Sequence, residues 1–236
     1  MASVYERFQS LLQALLPPSC LCCVATGVGR LDLCAGCYRE LPRNRHACGR
    51  CALPVPAGQQ RCAHCQSDAP AFHTAIVPWV YEAPVDGLIQ SLKFRGQLPA
   101  GRLLGGLLAR ELKQRKAVAD AIVPMPLHRR RLRERGFNQA AELARPVSRA
   151  LGIPVRHGWV QRRRPTAAQA GLGRTDRQRN LRGAFVASAA VRGRRIALLD
   201  DVITTASTVD EAARALIHSG ATQVTVWAVA RATLHR

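Results

Sequence analysis

Eight of the chain's nine cysteines stand in Cys-x2-Cys pairs whose spacing is used twice. Cys20-x2-Cys23, ten residues and Cys34-x2-Cys37 are followed by Cys48-x2-Cys51, ten residues and Cys62-x2-Cys65, each position displaced by 28 residues. Such a pattern leaves a chain little freedom. One tight Cys-x2-Cys turn delivers two soft ligands, and zinc takes four of them at tetrahedral corners about 2.3 Å away. Gly36 and Gly49 place turn-forming residues beside the knuckles. The repeat therefore predicts two structural Zn2+ sites of four cysteines each, a double zinc ribbon over residues 18–70. Spacing alone leaves two pairings open, sequential or cross-braced with the first knuckle joining the third. Cys22 is left over, and His46 and His64 read as bystanders.

Upstream, Val4, Phe8, Leu11, Leu12 and Leu15 recur at helical spacing before Pro17 and Pro18, so residues 1–17 are expected to carry an amphipathic helix. Its Leu11–Leu16 run is interrupted by Gln13 and preceded by Glu6 and Arg7, too short and polar for a membrane span or a secretion signal. The expected location is the cytoplasm, where thiols favour metal over disulfides.

The formal charge of +20 is unevenly placed. Seven arginines against four acids leave +3 on residues 1–73, and +17 falls on residues 74–236. Each four-thiolate zinc site carries about −2, which takes the ribbon region to about −1. An anionic partner is thus expected on the C-terminal domain, whether nucleic acid, polyphosphate or a sugar phosphate. Arginine supplies 32 of the 35 cations, and its planar fork binds phosphate bidentately.

From Thr74 onward apolar runs alternate with helical patterns. Strands are expected at 75–81, 121–126, 155–161, 195–203 and 224–230, and helices at 85–94, 100–114, after Gln139 with a kink at Pro146, and at 207–219. That order predicts an α/β domain over 74–236 with a parallel sheet and its ligand at the carboxyl edge. Ile196-Ala-Leu-Leu-Asp200-Asp201-Val-Ile-Thr204-Thr205-Ala206-Ser207-Thr208 carries the most chemistry. Where the chain leaves the strand, Asp200 and Asp201 can both face a ligand and accept hydrogen bonds from a sugar diol. The hydroxyls of Thr204, Thr205, Ser207 and Thr208 and the free N–H groups of the next helix suit a phosphate. Diol and phosphate together describe ribose 5-phosphate. A plain buried strand with Ser207 or Thr208 as helix cap and Glu211 completing a capping box is the alternative. A nucleotide triphosphatase would need a G-x-x-x-x-G-K-[ST] loop, which the sequence lacks.

This stretch resembles the 5-phosphoribosyl-1-pyrophosphate (PRPP) motif of type I phosphoribosyltransferases, except that a glycine is usual where Ala206 stands. The resemblance implies that Asp200 and Asp201 hold the ribose hydroxyls and that residues 204–208, Ala206 included, cradle the 5-phosphate, with Mg2+ accompanying PRPP. Upstream, the 121–126 strand empties into His128-Arg129-Arg130-Arg131-Leu132-Arg133-Glu134-Arg135-Gly136-Phe137-Asn138-Gln139. Arginines between a strand and a helix suit a pyrophosphate, and a solvated basic face is the alternative. The Arg133–Gln139 run resembles the ComF family, which implies a pyrophosphate loop with Arg135 and Asn138 as contacts and Arg135 beside the two acids in any catalysis. Residues 163–180 are polar and contain glycine. They are similar to the family's flexible loop at Thr166, Gln169, Arg177 and Asn180, with a surface linker as the alternative.

The resemblance implies a parallel-sheet type I phosphoribosyltransferase fold behind a double zinc ribbon, and a role in natural transformation with possible competence-machinery partners. Lys93-Phe94-Arg95 and Arg135-Gly136-Phe137 set aromatics among cations, a pattern suited to single-stranded DNA. No residue marks a general base for an acceptor, so a PRPP sensor or a DNA-binding accessory protein stands beside the enzyme reading. Nothing in the chain supports a sugar-acid site.

Overall fold

The computed structural model describes residues 18–29, 31–163 and 183–233. The expected 1–17 helix and Thr166, Gln169, Arg177 and Asn180 lie outside the described residues. The chain forms two compact units, 1–41 and 42–236.

In the first unit the knuckle closes through Cys20 N–H to the Ala25 carbonyl (2.7 Å) and Val24 N–H to the Cys20 carbonyl (2.9 Å). Helix α1 (Ala35–Arg39) follows, with Cys34 Sγ accepting from the Cys37 N–H. Gly27 is obligatory in the return, because a Cβ there would lie 2.3 Å from the Leu31 carbonyl oxygen.

The second unit repeats that local geometry 28 residues on. Cys48 N–H meets the Leu53 carbonyl (2.8 Å), Ala52 N–H meets the Cys48 carbonyl (2.9 Å), and α2 (Ala63–Ser67) stands where α1 does. Val24 and Ala52 share a left-handed backbone at φ 65 and 55. The duplication in sequence is thus a duplication of turn conformation.

The same unit continues through β1 (Thr74–Ile76), β2 (Trp79–Val80), α3 (Val85–Arg95), α4 (Leu98–Gln114), β3 (Ala121–Pro124), α5 (Arg129–Arg135), α6 (Gln139–Leu151), β4 (Val160–Arg162), β5 (Phe185–Ala187), β6 (Arg195–Ile203), α7 (Ser207–His218) and β7 (Gln223–Arg231). The main sheet runs β1-β7-β6-β3, with β2 also on β7, and every pair is parallel. Its central strands are nearly continuous apolar runs, as a sheet covered on both faces requires. Helix α4 packs closely on α6, where a Cβ at Gly105 would lie 2.4 Å from the Pro146 ring. The expected α/β class with a parallel sheet behind paired cysteine knuckles is the one adopted.

Several boundaries differ from the sequence expectations. The 75–81 strand is split between Ile76 and Trp79, because Pro78 has no N–H for the ladder. Only Val155 bridges Ile122 where a strand over 155–161 was expected, and Gly158, at φ 79, separates it from β4, which pairs antiparallel with β5. Helix α6 continues through Pro146. The arginine run is a short helix rather than an open loop, with His128 Nδ1 accepting from the Arg130 N–H and Gly136 ending it at φ 80.

Candidate functional site

The carboxyl end of β6 carries the acid pair. Both carboxylates lie within the strand, which runs on to Ile203, rather than beyond its end. The Asp201 N–H donates to Asp200 Oδ1 at 2.9 Å. Asp201 is buried and forms an ion pair with Lys93 from the last turn of α3. Asp200 retains some exposure, yet desolvation by the surrounding protein and then the Asp201 carboxylate hold its carboxyl well above the ordinary range.

Two guanidinium groups interact with the acids, and a third, Arg131, repels both of those guanidinium groups. Burial lowers Arg135 from its ordinary value, against the pull of Asp201 and with the push of Arg131. Burial and then Arg131 lower Arg162 at the end of β4, while Asp200 pulls the other way. Arg135 donates to Gln139 Oε1 at 2.6 Å and lies 5.6 Å from the centre of the Phe94 ring. Asn138 is occupied in the scaffold: its Oδ1 caps α6 at the Ala140 N–H and its Nδ2 donates to the Met125 carbonyl, both at 3.0 Å.

Beyond the strand, Thr204 is exposed and Thr205, Ala206 and Thr208 are half-buried. Ala206 adopts a left-handed conformation (φ 64) and is itself the N-cap of α7, with no side-chain cap bond. The Ser207 or Thr208 cap considered from the sequence is not formed, and Glu211 accepts instead from the Gly183 N–H at 2.8 Å. Ser207 Oγ is buried without a hydrogen-bond partner among the described residues. An uncapped helix N-terminus with an unsatisfied buried hydroxyl suits an anion. Thus the fold gathers Asp200, Asp201, Arg135 and the 204–208 turn, and adds Lys93, Arg131 and Arg162.

Each group of four cysteines also converges. The Sγ atoms of Cys20, Cys23, Cys34 and Cys37 lie within 4.8 Å of one another, as do those of Cys48, Cys51, Cys62 and Cys65. Cys23 to Cys34 and Cys51 to Cys62 are 3.6 Å apart, close to the roughly 3.8 Å edge of a tetrahedral zinc–thiolate site. Both sets fit zinc, and the grouping is sequential rather than cross-braced. Burial opposes ionisation of Cys48, but the backbone N–H groups of Cys51, Cys62 and Arg50 outweigh it and bring the thiol down to about 6. Cys20 reaches about 6 by the same contest.

A double zinc ribbon domain matches residues 11–66. Of solved structures, glutamine PRPP amidotransferase from B. subtilis aligns at 24% identity and TM-score 0.39, over 54% of this chain and a quarter (25%) of its own. Purine phosphoribosyltransferase from Pyrococcus horikoshii aligns at 15% identity and TM-score 0.34, over 54% and 79%. Competence protein F of Haemophilus influenzae is 35% identical over 213 residues, 87% of this chain and 93% of its own length. DNA utilization protein YhgH of Escherichia coli K12 is 34% identical over 216 residues, 89% and 95% of the two chains. With identity at that level across nearly the whole of both proteins, this chain belongs to the competence protein F (ComF) family.

Proposed function

We propose that the protein binds PRPP with Mg2+ at the 196–208 motif and acts in natural transformation, in the handling of imported single-stranded DNA. The observation that carries this reading is the paired acid at the end of β6, with Lys93 on Asp201 and Arg135 and Arg162 drawn toward the two acids, followed by an uncapped helix N-terminus. Asp200 and Asp201 accept hydrogen bonds from the ribose diol. The N–H groups of 204–208, with the Thr204, Thr205, Ser207 and Thr208 hydroxyls, hold the 5-phosphate. Arg135, Arg131 and Arg162 stabilise negative charge on pyrophosphate, and Asn138 fixes the start of α6 beside them. Mg2+ accompanying PRPP would add further charge neutralisation there.

Transfer to an acceptor is the enzymatic form of this function, and PRPP sensing is its non-catalytic form. A DNA-binding role has its own support, since Phe94 is 76% exposed and has the Arg135 guanidinium over its ring. Pyrophosphate release from PRPP across candidate bases, with and without single-stranded DNA, separates these forms. Release dependent on one base supports a transferase, and binding without release supports a sensor. DNA affinity falling in log–log salt plots with a slope of about −0.7 per phosphate contacted supports the binder, and a flat response removes it.

A further inference from the structure

Arg231, at the end of β7, is a buried charge that the site above does not use. Its side chain is enclosed (2% exposed), and its guanidinium donates to four backbone carbonyls. Nε donates to Cys51 in the third knuckle at 3.1 Å, while one terminal nitrogen donates to Ile203 at 2.9 Å, to Ala232 at 3.0 Å and to Thr204. One guanidinium therefore spans from a cysteine of the second metal set to the first residue of the proposed phosphate turn. Burial presses Arg231 below its ordinary value, while the Cys51, Cys62 and Cys65 sulfurs favour its charge.

The neighbouring contacts run the same way. Cys51, Cys62 and His64 from the ribbon and Thr205, Ala206 and Ser207 from the turn line one cavity of about 30 Å3. The Ala71 N–H, just past the ribbon, donates to Asp210 in the first turn of α7 at 2.6 Å. Asn44 Nδ2 donates to the carbonyls of Ala52 and Val77, tying the knuckle to the β1–β2 junction.

We infer that Arg231 is a positioning residue through which metal at Cys48, Cys51, Cys62 and Cys65 sets the conformation of the 204–208 turn, so that loading of the second zinc site controls phosphate binding at the neighbouring site. The physical reason is geometric and electrostatic together. A loaded four-thiolate site fixes the Cys51 carbonyl that holds one side of the guanidinium. The fixed guanidinium then holds the Thr204 carbonyl, and so orients the next N–H groups. Its positive charge also stands between a site of net charge about −2 and a turn that must accept an anion. The inference rests on reading 204–208 as a phosphate turn.

The test uses the full zinc-loaded chain. Arg231→Lys keeps the charge but cannot span four carbonyls, and Cys65→Ser attacks the metal site with Arg231 intact. Hydrogen exchange is followed over 203–208 against β3 as an internal standard, and PRPP–Mg2+ affinity is measured beside it. Both variants are expected to raise exchange over 203–208 by about tenfold with β3 unchanged, and to weaken PRPP binding by about tenfold. Arg231→Lys is expected to retain two zinc per chain. Exchange over 203–208 that stays at the wild-type rate in both variants, or rises only in step with β3, overturns the inference. If the wild type binds no PRPP, the functional proposal fails, while the exchange result still decides the role of Arg231.

Discussion

Replacing Lys93 with methionine leaves the Asp201 carboxylate, whose side chain is only 4% exposed, without its cation and next to Asp200. Removing one partner of a fully buried pair costs about 3–5 kcal/mol. Lys93 is 20% exposed, so solvent shares in its stabilising effect and the lower end, about 3 kcal/mol, is expected. For a chain of this size that is a fall in Tm of about 6–12 °C. Asp201→Asn is milder, about 1 kcal/mol, because Lys93 can turn toward water. The double variant should recover about 2 kcal/mol of the Lys93→Met loss, which with the two single losses is a coupling energy of about 3 kcal/mol, read by urea denaturation at fixed free zinc. Asp200 holds its proton above the ordinary range, and protonating it as pH falls removes the like charge beside the unpaired carboxylate, so the Lys93→Met penalty should shrink from pH 7.5 to pH 5. A penalty below about 0.5 kcal/mol at pH 7.5, or one that grows as pH falls, refutes the reasoning.

Asp200 in the folded chain holds its proton more tightly than in the unfolded chain, where a carboxylate titrates near 3.9. Stability should therefore fall as pH rises from that value through the folded one, and Asp200→Asn should raise the ligand-free Tm at neutral pH and flatten the pH profile. Ala206→Gly removes a left-handed non-glycine residue and should stabilise the protein by about 0.5–1 kcal/mol in the same denaturation assay. Metal analysis should return two zinc per chain, and one equivalent should be lost from Cys62→Ser; a wild-type value of one contradicts the duplicated knuckle.

Much of this was legible because it is local. The knuckles are short-range patterns, and the two turns they produce match bond for bond at 28 residues' separation. The acid pair followed by hydroxyls likewise announces a strand, a turn and a helix start in 13 consecutive residues. Pairing of the knuckles was not legible, since both arrangements satisfy the same spacing. Lys93 was noted among cations near an aromatic, but its partner lies more than a hundred residues away on another element. Arg162 falls between the expected 155–161 strand and the polar 163–180 stretch, and only the fold brings it under the influence of Asp200. Arg231 did leave a trace: an arginine directly after the apolar run Val224–Ala230 is a charge that needs buried acceptors. The arginine run was read as a loop from the family resemblance, whereas arginine's helix propensity and the His128 cap make all seven residues Arg129–Arg135 helical.

The central claim is a ribose-phosphate site on β6, and titration calorimetry of PRPP with Mg2+ against the zinc-loaded chain tests it most directly. The account predicts one saturable site in the wild type and no measurable binding in Asp200→Asn with Asp201→Asn, with two zinc per chain retained in both. Unchanged affinity in that variant, or no binding by the wild type at millimolar PRPP, contradicts it.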